Sequence, residues 1–332
     1  MREDNRKRFN QRLKWSLGVV TLLLVLISSA GCAKSYADSS AAISGQITAN
    51  QNQNENEKTK DTPKSLKVTY LDVGQADSIL IQIPNGKNVL IDAGNNEDAE
   101  VIIAYLKNQG IRRLDSVIGT HPHEDHIGSL DKIIKTFEIG EVLMPKVTTN
   151  TQTFKEVLTA IQDKGLKIKE AKAGLKLNLG SATTIGTQLI AEVLAPKSSK
   201  YEDLNNYSVV IRLVYGQTAF LFTGDAEELS EDEMLSSSHS LQADVLKVGH
   251  HGSSTSTTQE FLNKVHPKYG IISVGKDNTY GHPTSALLNR LKKSGVEVYR
   301  TDVSGTIMAE SDGTNITFSS AQKRFKNMEM KR

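Results

Sequence analysis

Apolar and polar positions alternate with two different periods along residues 65–320. Residues 66–71 and 78–83 alternate as β-strands do, and a Pro-Asn-Gly turn then leads into a strand over 88–92. Residues 98–109 instead place apolar side chains at helical spacing. The same periods predict helices over 127–136, 152–163, 226–236, 257–265 and 284–294, strands over 116–120, 141–144, 167–171, 187–194, 208–214, 218–222, 243–248, 270–274 and 296–300, and a closing hairpin at 312–313. This alternation, with hairpins early and late, predicts a layered α/β fold.

Two of the predicted hairpins have the same plan. In residues 78–92 and 208–225, a serine and a glycine lie eight positions apart, and the second strand ends at an aspartate, Asp92 or Asp225. Two amphipathic hairpins can share these features by chance. The alternative is a duplicated βα half, with both copies contributing ligands to one site.

The first 31 residues have the three-part pattern of an export signal. A basic stretch ends at Lys14, an apolar run covers residues 15–27, and Ala30 and Gly31 precede Cys32. The apolar run is shorter than the ~20 residues that span a bilayer. The end of the segment resembles a bacterial lipobox and predicts lipidation at Cys32. An ordinary cleaved signal peptide or a marginal N-terminal anchor is the alternative.

Two polar segments flank the predicted domain. Residues 32–64 are rich in Ser, Asn, Gln and charge without apolar periodicity, which predicts a flexible tether, and residues 321–332 form a basic C-terminal tail. With the signal over residues 1–31, this organisation predicts a protein that is lipid-anchored to the cell membrane on its extracytoplasmic face. Cys32 is the only cysteine, so the domain over 65–320 contains neither a disulfide nor a cysteine metal ligand.

Net charge argues against one class of function. The whole chain carries a formal +2, but residues 1–31 hold six basic and two acidic side chains, which leaves 34 basic against 36 acidic residues, about −2. This remainder lacks the global positive field of a non-specific nucleic-acid binder. Any nucleic-acid binding would then rely on local patches such as Lys264, Lys268 and Lys292, and it would be weak at physiological salt.

The strongest chemical signal is a cluster of three histidines and an aspartate directly after a predicted strand, in Thr-His-Pro-His-Glu-Asp-His over residues 120–126. Without a cation, such crowded imidazoles and carboxylates would be poorly satisfied. In an extended segment, His121 and His123 point to the same side and can hold one metal ion. If a helix follows, Asp125 and His126 at its start can reach a second. The alternative is a histidine-rich surface loop.

The motif over residues 120–126 resembles the His-x-His-x-Asp-His signature of the metallo-β-lactamase superfamily. The segments Asp-Val-Gly-Gln-Ala-Asp-Ser over 72–78, Thr-Gly-Asp over 223–225 and Gly-His-His-Gly-Ser over 249–253 narrow the resemblance to its ComEC-like branch, the hydrolase domain of a DNA-uptake protein. Ala76 replaces a glycine that is usual in the first of these segments. The resemblance covers residues 66–318, without the repeated membrane spans of a DNA channel.

The resemblance implies an αββα sandwich of two mixed sheets flanked by helices, with two divalent metal ions, Zn or Mn, at one edge. The implied metal ligands are His121, His123, Asp125, His126, Asp225 and His250, with the Asp225 carboxylate bridging the two ions. The implied catalytic residues are Asp125, which would orient the nucleophile, and His251 or His282, which would protonate the leaving group. Spacing alone does not decide which of His250, His251 and His282 is the last ligand.

One element of the superfamily is missing. Most members carry another histidine just before the strand that leads to the bridging aspartate, whereas residues 205–208 read Asn-Asn-Tyr-Ser. The metal position at His121 and His123 would therefore be completed by oxygen donors or water. It should be weaker and more tolerant of Mn²⁺, and Asn206 is the candidate for the missing position.

The resemblance implies a secreted metal-dependent hydrolase, and we expect a phosphodiesterase or nuclease that acts through a dinuclear metal-bound hydroxide. The expected substrate is a phosphodiester of a nucleic acid or of the cell envelope, and no protein partner is evident. A lactonase or acyl hydrolase similar to a β-lactamase is the alternative within the same site chemistry. A non-hydrolytic accessory protein of DNA uptake is the alternative from another class.

Overall fold

The computed structural model describes residues 65–181 and 187–320. The predicted signal, tether and C-terminal tail, and with them Cys32, lie outside these residues. Within these two ranges, no helix combines the length and the apolar character that crossing a membrane requires.

The described residues form two mixed β-sheets. In chain order the strands are β1 Leu66–Tyr70, β2 Ile79–Gln82, β3 Asn88–Ile91, β4 Arg113–Ile118, β5 Glu138–Met144, β6 Ile168–Glu170, β7 Leu189–Ala195, β8 Val210–Tyr215, β9 Thr218–Phe222, β10 Val245–Lys247, β11 Tyr269–Ile272, β12 Glu297–Arg300, β13 Ile307–Ser311 and β14 Ile316–Ser320. One sheet has the order β14-β13-β1-β2-β3-β4-β5-β6, and the other has the order β12-β11-β10-β9-β8-β7. Strands β3 to β6 and β9 to β12 run parallel, and hairpins supply the antiparallel strands.

Helices cover the outer face of each sheet. They are α1 Ala99–Asn108, α2 Glu124–Ile127, α3 Leu130–Thr136, α4 Gln152–Asp163, α5 Glu228–Leu235, α6 Gln259–Val265, α7 Ser285–Lys293 and α8 Thr301–Ser304. Apolar residues of α1, α3 and α4 pack on the first sheet, and those of α5, α6 and α7 pack on the second. The predicted αββα sandwich is confirmed.

The central core lies between the two sheets. It combines inward-facing residues such as Val68 and Ile81 of the first sheet with Phe220 and Phe222 of the second. The rings of Tyr70 and Phe222 meet across this layer with centroids 6.3 Å apart. Each large apolar side chain buried here stabilises the fold by about 1.5–3 kcal/mol, so the sheet edges that carry the functional residues rest on a rigid base.

The helix predicted over residues 127–136 is α3, which begins only at Leu130 and is preceded by a separate short helix, α2. Their junction at Gly128 lies against the loop after β3, and the Gly128 amide donates to the carbonyl of Gly94 at 2.9 Å. A Cβ at Gly128 would lie 2.3 Å from the carbonyl carbon of Asn95. Only glycine allows this approach, which brings the histidine segment onto the strand ends.

The two similar hairpins lie in different sheets. The first forms β2 and β3 and the second forms β8 and β9, each as an antiparallel pair. The aspartates that follow them, Asp92 and Asp225, are both buried and both contact His126, at Nδ1 and at Nε2 respectively. The expectation that both copies serve one site therefore agrees with their placement, although Asp92 stands behind the imidazole and Asp225 in front of it.

Candidate metal centre

Three strand ends bring the candidate residues together. The histidine segment follows β4 in the first sheet, Asp225 follows β9, and His250 and His251 follow β10 in the second sheet. In sheets with parallel strands, functional groups gather at the carboxyl ends, where loops leave the strands. The site therefore sits at the edge where the two sheets meet.

Four residues form a compact set of donor atoms, which we call the four-donor cluster: Asp125, His126, Asp225 and His251. One ligand atom of each lies within 4.8 Å of the others. The Asp225 Oδ1 is 3.2 Å from the His126 Nε2, and the His251 Nε2 is 3.2 Å from the Asp125 Oδ2. The His251 Nε2 is also 3.6 Å from the Asp225 Oδ2. Two imidazoles and two carboxylates at these distances match the donor types that Zn²⁺ and Mn²⁺ accept.

Hydrogen bonds at the rear of both imidazoles leave their Nε2 atoms directed into the cluster. The His126 Nδ1 is 2.8 Å from the Asp92 Oδ2, which accepts its proton, and the His251 Nδ1 donates to the carbonyl of Ser273 at 3.0 Å. Asp92 is held in turn by the amide and hydroxyl of Thr120 at 2.8 and 2.7 Å. Metal-binding histidines are commonly oriented by such partners, which select the tautomer whose free nitrogen faces the metal.

The cluster also leaves buried polar atoms unsatisfied. Among the described residues, the His126 Nε2 and the Asp225 Oδ1 are buried and have no partner in hydrogen-bonding geometry, although they lie 3.2 Å apart. The two groups attract each other by charge, but buried polar atoms without a well-formed hydrogen bond destabilise the fold. A divalent cation would satisfy both, so the residues present fit a metal ion.

The charges inside the cluster are strongly coupled. Burial acts to raise the pKa of Asp225, but His126 and His251 outweigh it and hold that pKa well below its ordinary value. Burial acts to lower the pKa of His126, yet Asp225, Asp125 and Asp92 together raise it well above its ordinary value. Without metal, the site is therefore an array of carboxylates and protonated imidazole, and a metal ion would displace the proton.

His121 and His123, which we call the histidine pair, lie beside this cluster. The His121 Nε2 is 3.0 Å from the His123 Nδ1, and the His121 ring centroid is 4.1 Å from that of His126. The His121 Nδ1 contacts the hydroxyls of Thr120 and Ser208 at 3.2 and 3.3 Å. Burial and then the neighbouring His126 lower the pKa of His121 well below its ordinary value, so its imidazole is neutral and ready to bind a metal.

The two consecutive histidines after β10 take opposite places from those implied by the resemblance. His251 belongs to the four-donor cluster, whereas His250 lies at its edge, with its Nε2 3.7 Å from the Asp225 Oδ2. The His250 Nδ1 faces the Glu227 Oε1 at 3.2 Å. Both residues have left-handed backbone conformations, with φ of 49° and 50°. This turn sends His251 into the core towards Ser273 and His250 into the cleft.

An open polar cleft of about 330 Å³ leads to the cluster. It is lined by Gln75, His123, Glu124, Asp125, Asn205, Asp225, His250, His251, Tyr280 and His282. The ring of His282 lies 5.7 Å from that of His250. Burial, and then His250 and His251, lower the pKa of His282. His282 is therefore a neutral group in the cleft wall.

Residues 205–208 do not place the expected asparagine in the cleft. Asn206 is buried, and its side-chain oxygen accepts from the amide of Ser230 in α5 at 3.2 Å. Asn205 lines the cleft instead, with a buried side-chain oxygen that lacks a partner among the described residues. The short 3₁₀ turn over Leu204–Tyr207 directs Asn206, the candidate for the missing histidine position, towards α5.

A fully buried ion pair supports the cluster from beneath. The Lys247 Nζ lies 2.8 Å from the Asp77 Oδ2, and both side chains are at most 1% exposed. The other oxygen of Asp77 is 3.5 Å from the His251 Nδ1. Neither residue was predicted to belong to the site, although a lysine inside the apolar strand β10 was an available signal. The supporting roles of Asp92 and Glu227 were missed in the same way.

One of the lysines proposed as a local basic patch lies away from the cleft. Lys268 lines a separate depression of about 440 Å³ together with Arg212, Asp244 and His266. None of the residues that line this depression also lines the cleft.

Comparisons with known proteins agree with the resemblance. The family model described as "Metallo-beta-lactamase superfamily" matches residues 71–276. ComE operon protein 3 of Bacillus subtilis (strain 168) is 34% identical over 270 residues, covering 76% of this chain and 34% of that protein. Competence protein ComA of Neisseria gonorrhoeae is 31% identical over 242 residues, covering 72% of this chain and 31% of that protein. Recombination protein 2 of Haemophilus influenzae is 30% identical over 267 residues, covering 78% of this chain and 30% of that protein. The chain spans about a third of the length of these relatives.

Proposed function

Because this chain belongs to the metallo-β-lactamase superfamily, we propose that it is a metal-dependent phosphodiesterase that acts at the cell envelope. The observation that carries the proposal is the four-donor cluster at the end of an open polar cleft. Two of the similar proteins are named for competence and recombination, which supports a nucleic acid as the diester.

The metal ions would be held by the four-donor cluster and by the histidine pair, with Asp225 shared between the two positions. Bound Zn²⁺ or Mn²⁺ would supply Lewis-acid stabilisation of negative charge and activation of a water molecule. Asp125 is both a member of the cluster and part of the cleft wall, so its carboxylate orients the attacking water.

The remaining histidines act on the substrate. His250 lines the cleft, while its Nδ1 hydrogen-bonds the Thr255 hydroxyl at 3.3 Å and lies 3.2 Å from the Glu227 Oε1, contacts that fix the ring. We assign His250 to hold the proton that the leaving oxygen receives, a role that the sequence had suggested for His251 or His282. His282, kept neutral by its lowered pKa, donates a hydrogen bond to a phosphate oxygen.

The experiment is a substrate panel on the purified protein, loaded with Zn²⁺ or Mn²⁺ or stripped with chelator. We expect hydrolysis of bis-(p-nitrophenyl) phosphate that requires metal, without turnover of nitrocefin or of a lactone. The Asp225→Asn variant is the matched control for contaminating hydrolases. Turnover of nitrocefin without diesterase activity would show that the enzyme acts on acyl substrates instead of phosphodiesters. Binding of DNA without hydrolysis under either metal would favour a non-hydrolytic accessory role.

Anchoring is a separate part of the proposal. The apolar run over residues 15–27 followed by Cys32 supports lipidation at that cysteine and display on the outer face of the membrane. The Cys32→Ala variant should leave the membrane fraction or remain unprocessed, as seen by fractionation and electrophoretic mobility. Fractionation and mobility identical to the wild type would exclude lipidation at this residue.

A further inference from the structure

One aromatic side chain at the mouth of the cleft is unusually exposed. Tyr280, in the loop between β11 and α7, is 71% exposed, more than any other large hydrophobic side chain in the described ranges. It nevertheless lines the same cleft as the four-donor cluster. Its ring lies nearly parallel to that of His282, with centroids 5.8 Å apart and an interplanar angle of 25°. One face of the tyrosine is thus supported by the protein.

The loop that carries this ring is held firmly. The Asn278 side chain donates to the carbonyls of His282 and Gly275 at 2.6 and 3.0 Å, and its oxygen accepts from the His282 amide at 3.0 Å. Three hydrogen bonds from one side chain close the loop around Tyr280. A platform ordered before binding loses little conformational freedom when a ligand arrives.

The ring connects to the reacting centre through successive contacts. Tyr280 stacks on His282, the His282 ring lies 5.7 Å from that of His250, and the His250 Nε2 lies 3.7 Å from the Asp225 Oδ2. A nucleic acid strand bound along this cleft would therefore place a planar base on Tyr280 and a phosphate at the metal centre.

We propose that Tyr280 is the stacking platform for the nucleobase next to the scissile phosphodiester, which makes single-stranded nucleic acid the substrate class. This inference rests on the proposed function. Aromatic side chains bind single strands in this way because every base has a π-face, whereas a base inside a duplex offers no free face. Diesters of glycerol or an alditol have no planar group to stack, and one ring is not the aromatic cage that selects a quaternary ammonium.

The charge of the protein agrees with binding by base stacking. The chain without residues 1–31 carries about −2, and the depression lined by Lys268 and Arg212 is separate from the cleft. The described residues that line the cleft include no lysine or arginine, so the dependence of affinity on salt should be shallow.

The first test measures binding rather than turnover. The anisotropy of fluorescein-labelled oligothymidylate is compared with that of an abasic oligonucleotide of equal length and charge, using metal-loaded full-length protein in the cold and probes shown to be intact afterwards. Wild type should prefer oligothymidylate. Tyr280→Ala and Tyr280→Leu should reduce that preference roughly 5- to 150-fold, the range expected for loss of one stacked base. Tyr280→Phe should retain it, because the ring remains. The exposed position allows all three variants to fold, which thermal unfolding would verify.

Two results would overturn the inference. One is a Tyr280→Leu protein that prefers oligothymidylate as strongly as the wild type does. The other is a glycerol phosphate polymer that competes with the probe as well as unlabelled oligothymidylate does, which would point to an envelope diester.

A second test separates this inference from the proposed function. The p-nitrophenyl ester of thymidine 5′-phosphate and methyl p-nitrophenyl phosphate share a leaving group and differ in the nucleoside. The ratio of their kcat/KM values should fall at least about fivefold in Tyr280→Ala relative to wild type. An unchanged ratio contradicts the stacking role. If wild type hydrolyses neither ester with either metal, the proposed function fails, and the binding test still decides the role of Tyr280.

Discussion

The four-donor cluster and the histidine pair start from the same short segment, yet the fold supports them differently. The cluster combines α2 with the loops after β9 and β10, so it draws on both sheets, and its imidazoles are backed by Asp92 and Ser273. Both members of the pair come from one loop, and His121 is backed only by hydroxyls. In the ranges that the structure covers, neither His121 nor His123 belongs to a group of three or more donor atoms within 4.8 Å of one another, whereas Asp225 does. Two neighbouring metal positions can therefore differ in affinity because different residues hold their histidines in place, although the histidines come from one short segment.

The largest effect expected is from Asp225, which belongs to the cluster and, by the family resemblance, bridges to the pair. Asp225→Asn should remove both metal ions, whereas His121→Ala should empty only the position at the pair. Loss of the metal removes several kcal/mol of charge stabilisation, so diesterase activity should fall on the order of a thousandfold in Asp225→Asn. Metal content by mass spectrometry and titration calorimetry measure both effects. Equal metal affinities of the two positions in the wild type would contradict the expected difference between the four-donor cluster and the histidine pair.

The next effect concerns the buried ion pair beneath the cluster. Lys247→Met leaves the Asp77 carboxylate buried without its cation, which should cost about 3–5 kcal/mol of folding free energy. The double variant Asp77→Asn/Lys247→Met removes both charges and should recover much of that loss. Chemical denaturation measures the free energy of unfolding of each protein. A Lys247→Met protein as stable as the wild type would show that the buried ion pair does not stabilise the fold beneath the cluster.

A smaller effect is expected behind His126. Asp92→Asn keeps the size of the side chain but weakens the acceptor of the His126 Nδ1 proton, and loss of such support costs about 10- to 100-fold in metal affinity. Asp131→Asn, whose carboxylate bonds Lys135 on α3, is the matched control and should bind metal as the wild type does. Titration calorimetry should show weakening at the cluster alone. Equal weakening at the histidine pair would mean that Asp92 supports the whole site.

The smallest effect is a pH dependence. Although burial lowers it, the pKa of His126 is raised well above its ordinary value by Asp225, Asp125 and Asp92, so the metal-free imidazole carries a proton at neutral pH. The carboxylates of Asp125 and Asp225 have lowered pKa values and are already ionised. Metal binding must therefore release a proton from His126, and affinity should rise by up to about tenfold per pH unit until the pH exceeds that raised pKa.

Calorimetry in two buffers with different heats of ionisation counts the proton released. Burial acts to lower the pKa of His251, but Asp225 and Asp125 raise it, so binding to the cluster should release at least one proton. Binding to the neutral His121 should release fewer. Affinity at the cluster that is independent of pH, with no proton released, would contradict this account.

The sequence by itself determined the layered fold and the segment at the centre of the site. Periods of two and of 3.6 residues are local properties, so the strands and helices followed from them, apart from the division at Gly128 and the short helix α8. The histidine segment could be predicted because it crowds three histidines and an aspartate directly after an apolar strand, and the family resemblance added Asp225. Neither observation needs a contact between distant parts of the chain.

Only the tertiary structure decided which of two adjacent candidates faces the metal centre. His250 and His251 share a left-handed backbone, and the choice between them depends on the carbonyl of Ser273, which lies on another strand end. The choice between Asn205 and Asn206 depends on α5. Side-chain direction at a turn is set by what packs against it, and these partners are distant in sequence. For the same reason the Lys247–Asp77 pair, which only the assembled sheets bring together, could not be predicted from spacing.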